Sequence, residues 1–139
     1  MICGSAKTGN GMIIDTSILI AVFFNEDRGP LAAELLEKHR DDLKMSTVNL
    51  SEVLILVEDR QPQSFDKISS ELLSSSICFM EPSVEDACVA AKARLKYPLN
   101  LGDCFAYALA KRENDTLLSF DKDFRKTDIK VLNPSQTDS

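Results

Sequence analysis

A single histidine stands in the whole 139-residue chain, and that scarcity excludes a good deal. No mechanism needing a histidine pair is open to it, and a histidine-rich zinc site lacks its ligands. Four cysteines, Cys3, Cys78, Cys88 and Cys104, lie too far apart for a C-x-x-C pair, which removes zinc ribbons and redox motifs. Apolar neighbours such as Phe79, Val89 and Phe105 suggest buried free thiols in a reducing, cytoplasmic setting. No apolar run approaches the ~18–20 residues of a membrane span, and the N-terminus lacks a hydrophobic signal core. A basic excess is missing too. Against 16 Lys and Arg stand 22 Asp and Glu, a formal net charge of −6. That balance argues against a protein that coats nucleic acid non-specifically, and leaves room for one that meets it through metal ions.

What is present reads as one ordinary globular domain, 44% hydrophobic and 27% charged. Residues 1–11 are small and polar, with Gly4, Gly9 and Gly11, and read as a tail. Gly4 and Gly9 have phosphate-loop spacing, but Asn10 and Gly11 stand where Lys and Ser or Thr belong, so that match fails. From Met12 a regular pattern sets in and runs to about residue 133, and 134–139 read as a second loose tail.

Strand-like runs are expected at Met12–Ile14, Leu43–Thr47, Ile77–Met80, Thr116–Phe120 and Ile129–Leu132. Helical patterns fall between them. Thr16 or Ser17 is expected to cap a helix through Ile18–Asn25, Pro30 opens a second, and Asn49 caps a third. Ser83 and Asp86 form a capping box for a helix expected to bury Val84, Ala87, Cys88, Ala91 and Leu95. Asp103 opens an alanine-rich helix after a loop marked by Pro98 and Gly102. Strands alternating with helices predict a three-layer α/β/α fold with a mainly parallel central sheet of four to five strands. Ligands of such folds bind at the carboxyl ends of the strands.

Acids stand at those ends. Asp15 ends the first strand, Glu52 is expected in the first turn of the third helix, and Asp103 starts a later one. Asp121 and Asp123 follow the fourth strand. Carboxylates crowded together repel, and ~3 Å between two prevents both ionising. Hard Mg²⁺ or Mn²⁺ suits such a group, acidifying a bound water and neutralising charge on a phosphate. Each acid alone also has a plain reading as a helix-dipole or turn residue; their joint placement carries the inference. Thr16 and Ser17 are candidate auxiliary residues, by capping or by orienting Asp15. Tyr107, one turn beyond Asp103, is either a core residue or a platform for a base. Lys111, Arg112, Lys122, Arg125 and Lys126 are either phosphate contacts or a solvated surface.

The runs Ile13-Ile14-Asp15-Thr16-Ser17, Ser51-Glu52-Val53, Leu101-Gly102-Asp103-Cys104-Phe105-Ala106-Tyr107-Ala108 and Leu117-Leu118-Ser119-Phe120-Asp121-Lys122-Asp123-Phe124 resemble the PIN-domain family. Within it they are most similar to the VapC-type toxins of toxin–antitoxin pairs, over Met12 to Leu132. The resemblance implies a Mg²⁺- or Mn²⁺-dependent endoribonuclease, inhibited by a small cognate antitoxin and usually homodimeric. It matches Asp15, Glu52 and Asp103 to the family's first three metal-binding acids, and either Asp121 or Asp123 to the fourth. Asp128 resembles a recurring structural feature. Water would attack the phosphodiester, leaving a 5′-phosphate and a 3′-hydroxyl, so the RNA 2′-hydroxyl is not needed. A phospho-aspartyl phosphatase would want an acid where Ser17 stands, and a receiver domain one where Pro82 and Ser83 follow the third strand. A PIN-like module that only binds a partner is the remaining alternative.

Overall fold

The computed structural model describes residues 8–134. Five strands make one all-parallel sheet: β1 (Met12–Ile14), β2 (Leu43–Ser46), β3 (Cys78–Met80), β4 (Thr116–Leu118) and β5 (Val131–Leu132), ordered β3-β2-β1-β4-β5. Six helices cover it: α1 (Thr16–Phe23), α2 (Gly29–Lys38), α3 (Thr47–Arg60), α4 (Phe65–Leu73), α5 (Val84–Lys96) and α6 (Leu101–Glu113). The two-residue alternation of a strand assigns the layers. Ile14, Met45 and Leu118 face one core with Ile18, Val53 and Val57, while Ile13 and Leu117 face another with Leu109 and Phe124. The fold is therefore three-layered α/β/α. Among the described residues no helix is long and apolar enough to cross a membrane.

The strand order places the site. The chain leaves β1 outward through β2 and β3, then returns to lay β4 against the other side of β1. Beyond the carboxyl ends of β1 and β4 the connections diverge, and that reversal opens a crevice.

Several local expectations change. Asp15 itself caps α1, its Oδ1 accepting from the Ser17 N–H at 3.0 Å, because a carboxylate is the stronger acceptor. Ser46, not Asn49, caps α3, so Glu52 lies in the second turn rather than the first. Asn100 caps α6 in a reciprocal box with Asp103, which puts Gly102 inside the helix. The box at Ser83 and Asp86 forms as expected. The stripe expected to be buried on α5 faces outward, with Val84 79% and Leu95 91% exposed. Helix α5 instead packs Ala90 and Ala93 inward, and its buried Asp86 meets Arg112 of α6 at 3.0 Å. Small side chains permit the close approach, and the ion pair sets the rotation.

The thiol expectation also fails in part. Cys78, half-buried on the edge strand β3, is disulfide-bonded. Cys88 is free and exposed, Cys104 is free and buried, and Cys3 lies outside the described residues. At the amino end of β4, Gly9 and Gly11, read in sequence as part of the tail, donate their N–H groups to Asp115 Oδ1 at 2.9 and 3.0 Å. Asp115 Oδ2 and Glu113 in turn receive the buried Lys44 ammonium at 2.8 and 2.9 Å.

Candidate active site

Asp15 lies at the carboxyl end of the central strand and is 3% exposed. Donors hold both of its oxygens: the Ser17 N–H and Ser17 Oγ at 2.6 Å on one and Ser119 Oγ at 2.5 Å on the other. Burial pushes the Asp15 carboxyl up to about 6, against the pull of the Ser119 and Ser17 bonds, and Asp121 adds its repulsion. Ser119 is itself fully buried just beyond β4, where strand spacing aims it across to β1. One hydroxyl thus ties the two strands of the reversal together at the carboxylate.

Glu52 enters from α3. Its Oε1 accepts from Thr16 Oγ1 at 2.7 Å and from Asn49 Nδ2 at 2.9 Å. Asn49 also donates to the Gly102 carbonyl at 3.1 Å, joining α3 to the first turn of α6. That junction is tight. A methyl group on Gly102 would lie 2.2 Å from Glu52 Oε2, so the glycine is what admits the carboxylate.

Asp103 stands in the first turn of α6, half-buried. Burial raises its carboxyl to about 7, opposed by the Asn100 N–H, and the charges of Asp121, Asp15 and Glu52 raise it further. Four acids from four segments therefore act on one another electrostatically. Asp121 completes the set and caps the short 3-10 turn Lys122–Lys126, accepting the Asp123 N–H at 2.8 Å. Asp123 is exposed, and it is not among the leading charges on Asp15 or Asp103.

The other candidates separate cleanly. Tyr107 is 4% exposed, with its hydroxyl on Asp128 Oδ1 at 2.5 Å, so it is core and offers no open platform. Burial, then the Asp128 bond, pushes that phenol up to about 12. Lys111 is paired to Asp128 at 2.7 Å and Arg112 to Asp86, which accounts for both cations within the fold. Ser17 orients Asp15 as one of its two readings has it, while Thr16 serves Glu52. Sequence reasoning missed Asn49, Ser119 and Gly102 as parts of the site. The available signals were a polar residue inside an apolar stripe (Val48-Asn49-Leu50) and one between two apolar residues at a strand end (Leu118-Ser119-Phe120).

Among the described residues, no three acidic, histidine or cysteine side chains converge tightly enough to form a ready-made ion cage. The acids ring the crevice at longer range. Their hard oxygen donors, with the Asp15 and Asp103 carboxyls raised by burial, nonetheless fit a divalent cation that keeps several of its own waters.

The model of the PIN domain matches residues 12–130. The VapC ribonuclease Mb2780c of Mycobacterium bovis is 31% identical over 128 residues, covering 86% of this chain and 97% of that protein. A VapC ribonuclease of Mycolicibacterium smegmatis is 33% identical over 132 residues, covering 87% and 99%. Among solved structures, a toxin–antitoxin complex from Klebsiella pneumoniae superposes with a TM-score of 0.74 at 23% identity, over 91% of this chain and all of that one. The sarcin–ricin-loop-cleaving toxin VapC20 of Mycobacterium tuberculosis gives 0.75 at 17% identity, over 86% and 96%. With the four-acid crevice at the β1/β4 reversal, these matches make the chain a member of the PIN-domain family, in its VapC-type branch.

Proposed function

We propose that this chain is a metal-dependent endoribonuclease toxin that hydrolyses RNA phosphodiester bonds, leaving a 5′-phosphate and a 3′-hydroxyl. The observation that carries the reading is the mutual charge of Asp15, Glu52, Asp103 and Asp121 around one crevice. In this reading those four hold Mg²⁺ or Mn²⁺, with Asp123 outside the set. When bound, such an ion acidifies a water and offsets the charge that builds on the phosphate.

The remaining work falls to the chain's own side chains. Ser17 and Ser119 fix both oxygens of Asp15, so its lone pairs keep one orientation. Thr16 and Asn49 do the same for Glu52 Oε1. Asp103, half-buried among the other acids, is the candidate to take a proton from an attacking water. Comparison of wild type with D15A and D103A for Mn²⁺-dependent RNA cleavage tests the assignment. Activity lost in both variants is expected; equal activity in all three identifies a contaminant and sinks it.

A small cognate antitoxin is the proposed inhibitor, supported by the Klebsiella relative, whose structure is a toxin–antitoxin complex. A homodimer is supported by the apolar stripe that α5 turns outward at Val84 and Leu95. A cytoplasmic location remains part of the same reading. The absence of a tight ion cage among the described residues favours a second reading, a module that binds partners without catalysis. Calorimetry decides: no Mn²⁺ uptake at millimolar concentration selects the second.

A further inference from the structure

A strand of RNA approaching this crevice meets acids first. The charges that bear most on Asp15 and on Asp103 are themselves acids. A polyanion held at such a site needs a cation outside the carboxylates, close enough to grip a phosphate yet not neutralised by them. Arg28 is placed for that. It stands immediately before α2, where Pro30 is the second residue of the helix and the first, Gly29, packs so closely on the Ala21 carbonyl that a Cβ would come within 2.6 Å. The backbone carrying Arg28 is therefore set.

The guanidinium carbon of Arg28 lies 4.2 Å from the centroid of the Phe120 ring. Phe120 sits between Ser119, which binds Asp15, and Asp121. Its own backbone is tied down at both ends, the N–H donating to Ser17 Oγ at 3.1 Å and the carbonyl accepting from Asn133 Nδ2 at 3.1 Å. The ring is buried and the arginine over it is exposed. Stacking occupies the face of a guanidinium and leaves its N–H donors, which lie in the plane, directed outward. Glu26 and Asp27 adjoin it in sequence, yet among the described residues the Arg28 guanidinium makes no ion pair or hydrogen bond. A fixed, planar, unpaired fork at the rim of an acidic crevice has the geometry of a bidentate phosphate receptor.

We propose that Arg28, stacked on Phe120, docks a backbone phosphate of the RNA substrate beside the bond to be cut. The proposal rests on the ribonuclease reading and deepens it: Arg28 is a positioning residue, and the ligand is a phosphodiester of a single strand rather than a base. The alternative is that Arg28 merely roofs Phe120. Arg28→Met keeps the apolar stem and the roof but removes the fork, and Arg28→Lys keeps the charge but not the bidentate geometry.

The test follows binding of a labelled single-stranded oligoribonucleotide by anisotropy from 50 to 200 mM salt, in an Asp103→Asn background that keeps the strand intact. The expected result for R28M is binding weaker by roughly tenfold, with a log–log salt slope shallower by about 0.7, one single-strand phosphate contact. R28K should recover the slope and only part of the affinity. In the otherwise wild-type chain, R28M should raise KM with kcat nearly unchanged, and leave Mn²⁺ affinity and Tm as they were. An R28M protein with unaltered RNA affinity and salt slope overturns the proposal, whatever else touches Arg28, an acidic side chain of a protein partner included. Failure of the ribonuclease reading is read separately, as the absence of Mn²⁺-dependent cleavage by the wild type.

Discussion

At the scale of single residues, neutral side chains do as much to build the crevice as the acids. Gly102 leaves no space for a methyl group beside Glu52, and the atoms a methyl would strike belong to the far end of a flexible side chain. Glu52 can swing away, but only by leaving Thr16 and Asn49. Gly102→Ala is therefore expected to cost little stability and much activity. Cleavage should fall on the order of 10–100-fold, the penalty of a displacement near 1 Å, while Tm moves by a few degrees. Kinetics beside a melting curve separates the two; a loss of stability that accounts for the lost activity would contradict it. The same residues explain what was legible in sequence. Asp15, Asp121 and Asp123 stood out because acids after apolar strands are conspicuous, and Glu52 and Asp103 because they fall near the starts of helices. Asn49, Ser119 and Gly102 did not, because each acts through a contact that exists only once two distant segments meet.

At the scale of elements, strands were easier to read than helix starts and faces. Apolar runs such as Met12–Ile14 and Leu117–Leu118 declare themselves, whereas the start of α3 depends on which of Ser46 and Asn49 reaches a free N–H. Helix α5 was read to the wrong side because periodicity weighs large apolar residues, while its packing uses alanines and a buried ion pair. Its outward stripe carries a prediction: Leu95→Glu should shift a dimer toward monomer in light scattering without lowering monomer stability, since Leu95 is 91% exposed. An unchanged mass would remove α5 from the interface. The amino end of the sheet behaves differently. Lys44→Met strands the buried Asp115 and the partly buried Glu113 without their cation, a change that typically costs about 3–5 kcal/mol. Against a total of roughly 5–15 kcal/mol, the denaturant midpoint should drop sharply. At concentrations where the variant stays folded, its RNA cleavage should be close to normal.

At the scale of the whole molecule, charge and pH are coupled through the crevice. The formal charge of −6 includes its four acids, and two divalent ions would bring the total to roughly −2. Asp15 and Asp103, at about 6 and about 7, lie above the ~3.9 of an unfolded aspartate. The protonated forms thus favour the folded state. Their stabilisation is complete below about pH 4 and is lost as pH rises through 6 and 7. Without divalent ions, Tm should fall between pH 5 and pH 8, and Asp103→Asn should flatten that fall. Mn²⁺ at a hundredfold excess over its Kd should restore about 2.7 kcal/mol at pH 8. Its uptake should release protons, seen as a calorimetric heat that depends on the buffer; a heat that does not change from buffer to buffer would refute the coupling.

The crowding at Gly102 also has a genetic meaning. Every missense change of a glycine codon adds at least a Cβ, and here any Cβ falls on the Glu52 carboxylate. In a selection for cells that survive expression of this chain, codon 102 should behave like a nonsense target, with no tolerated allele. The acidic codons, where the other carboxylic acid can still fit and keeps its charge, would tolerate a few.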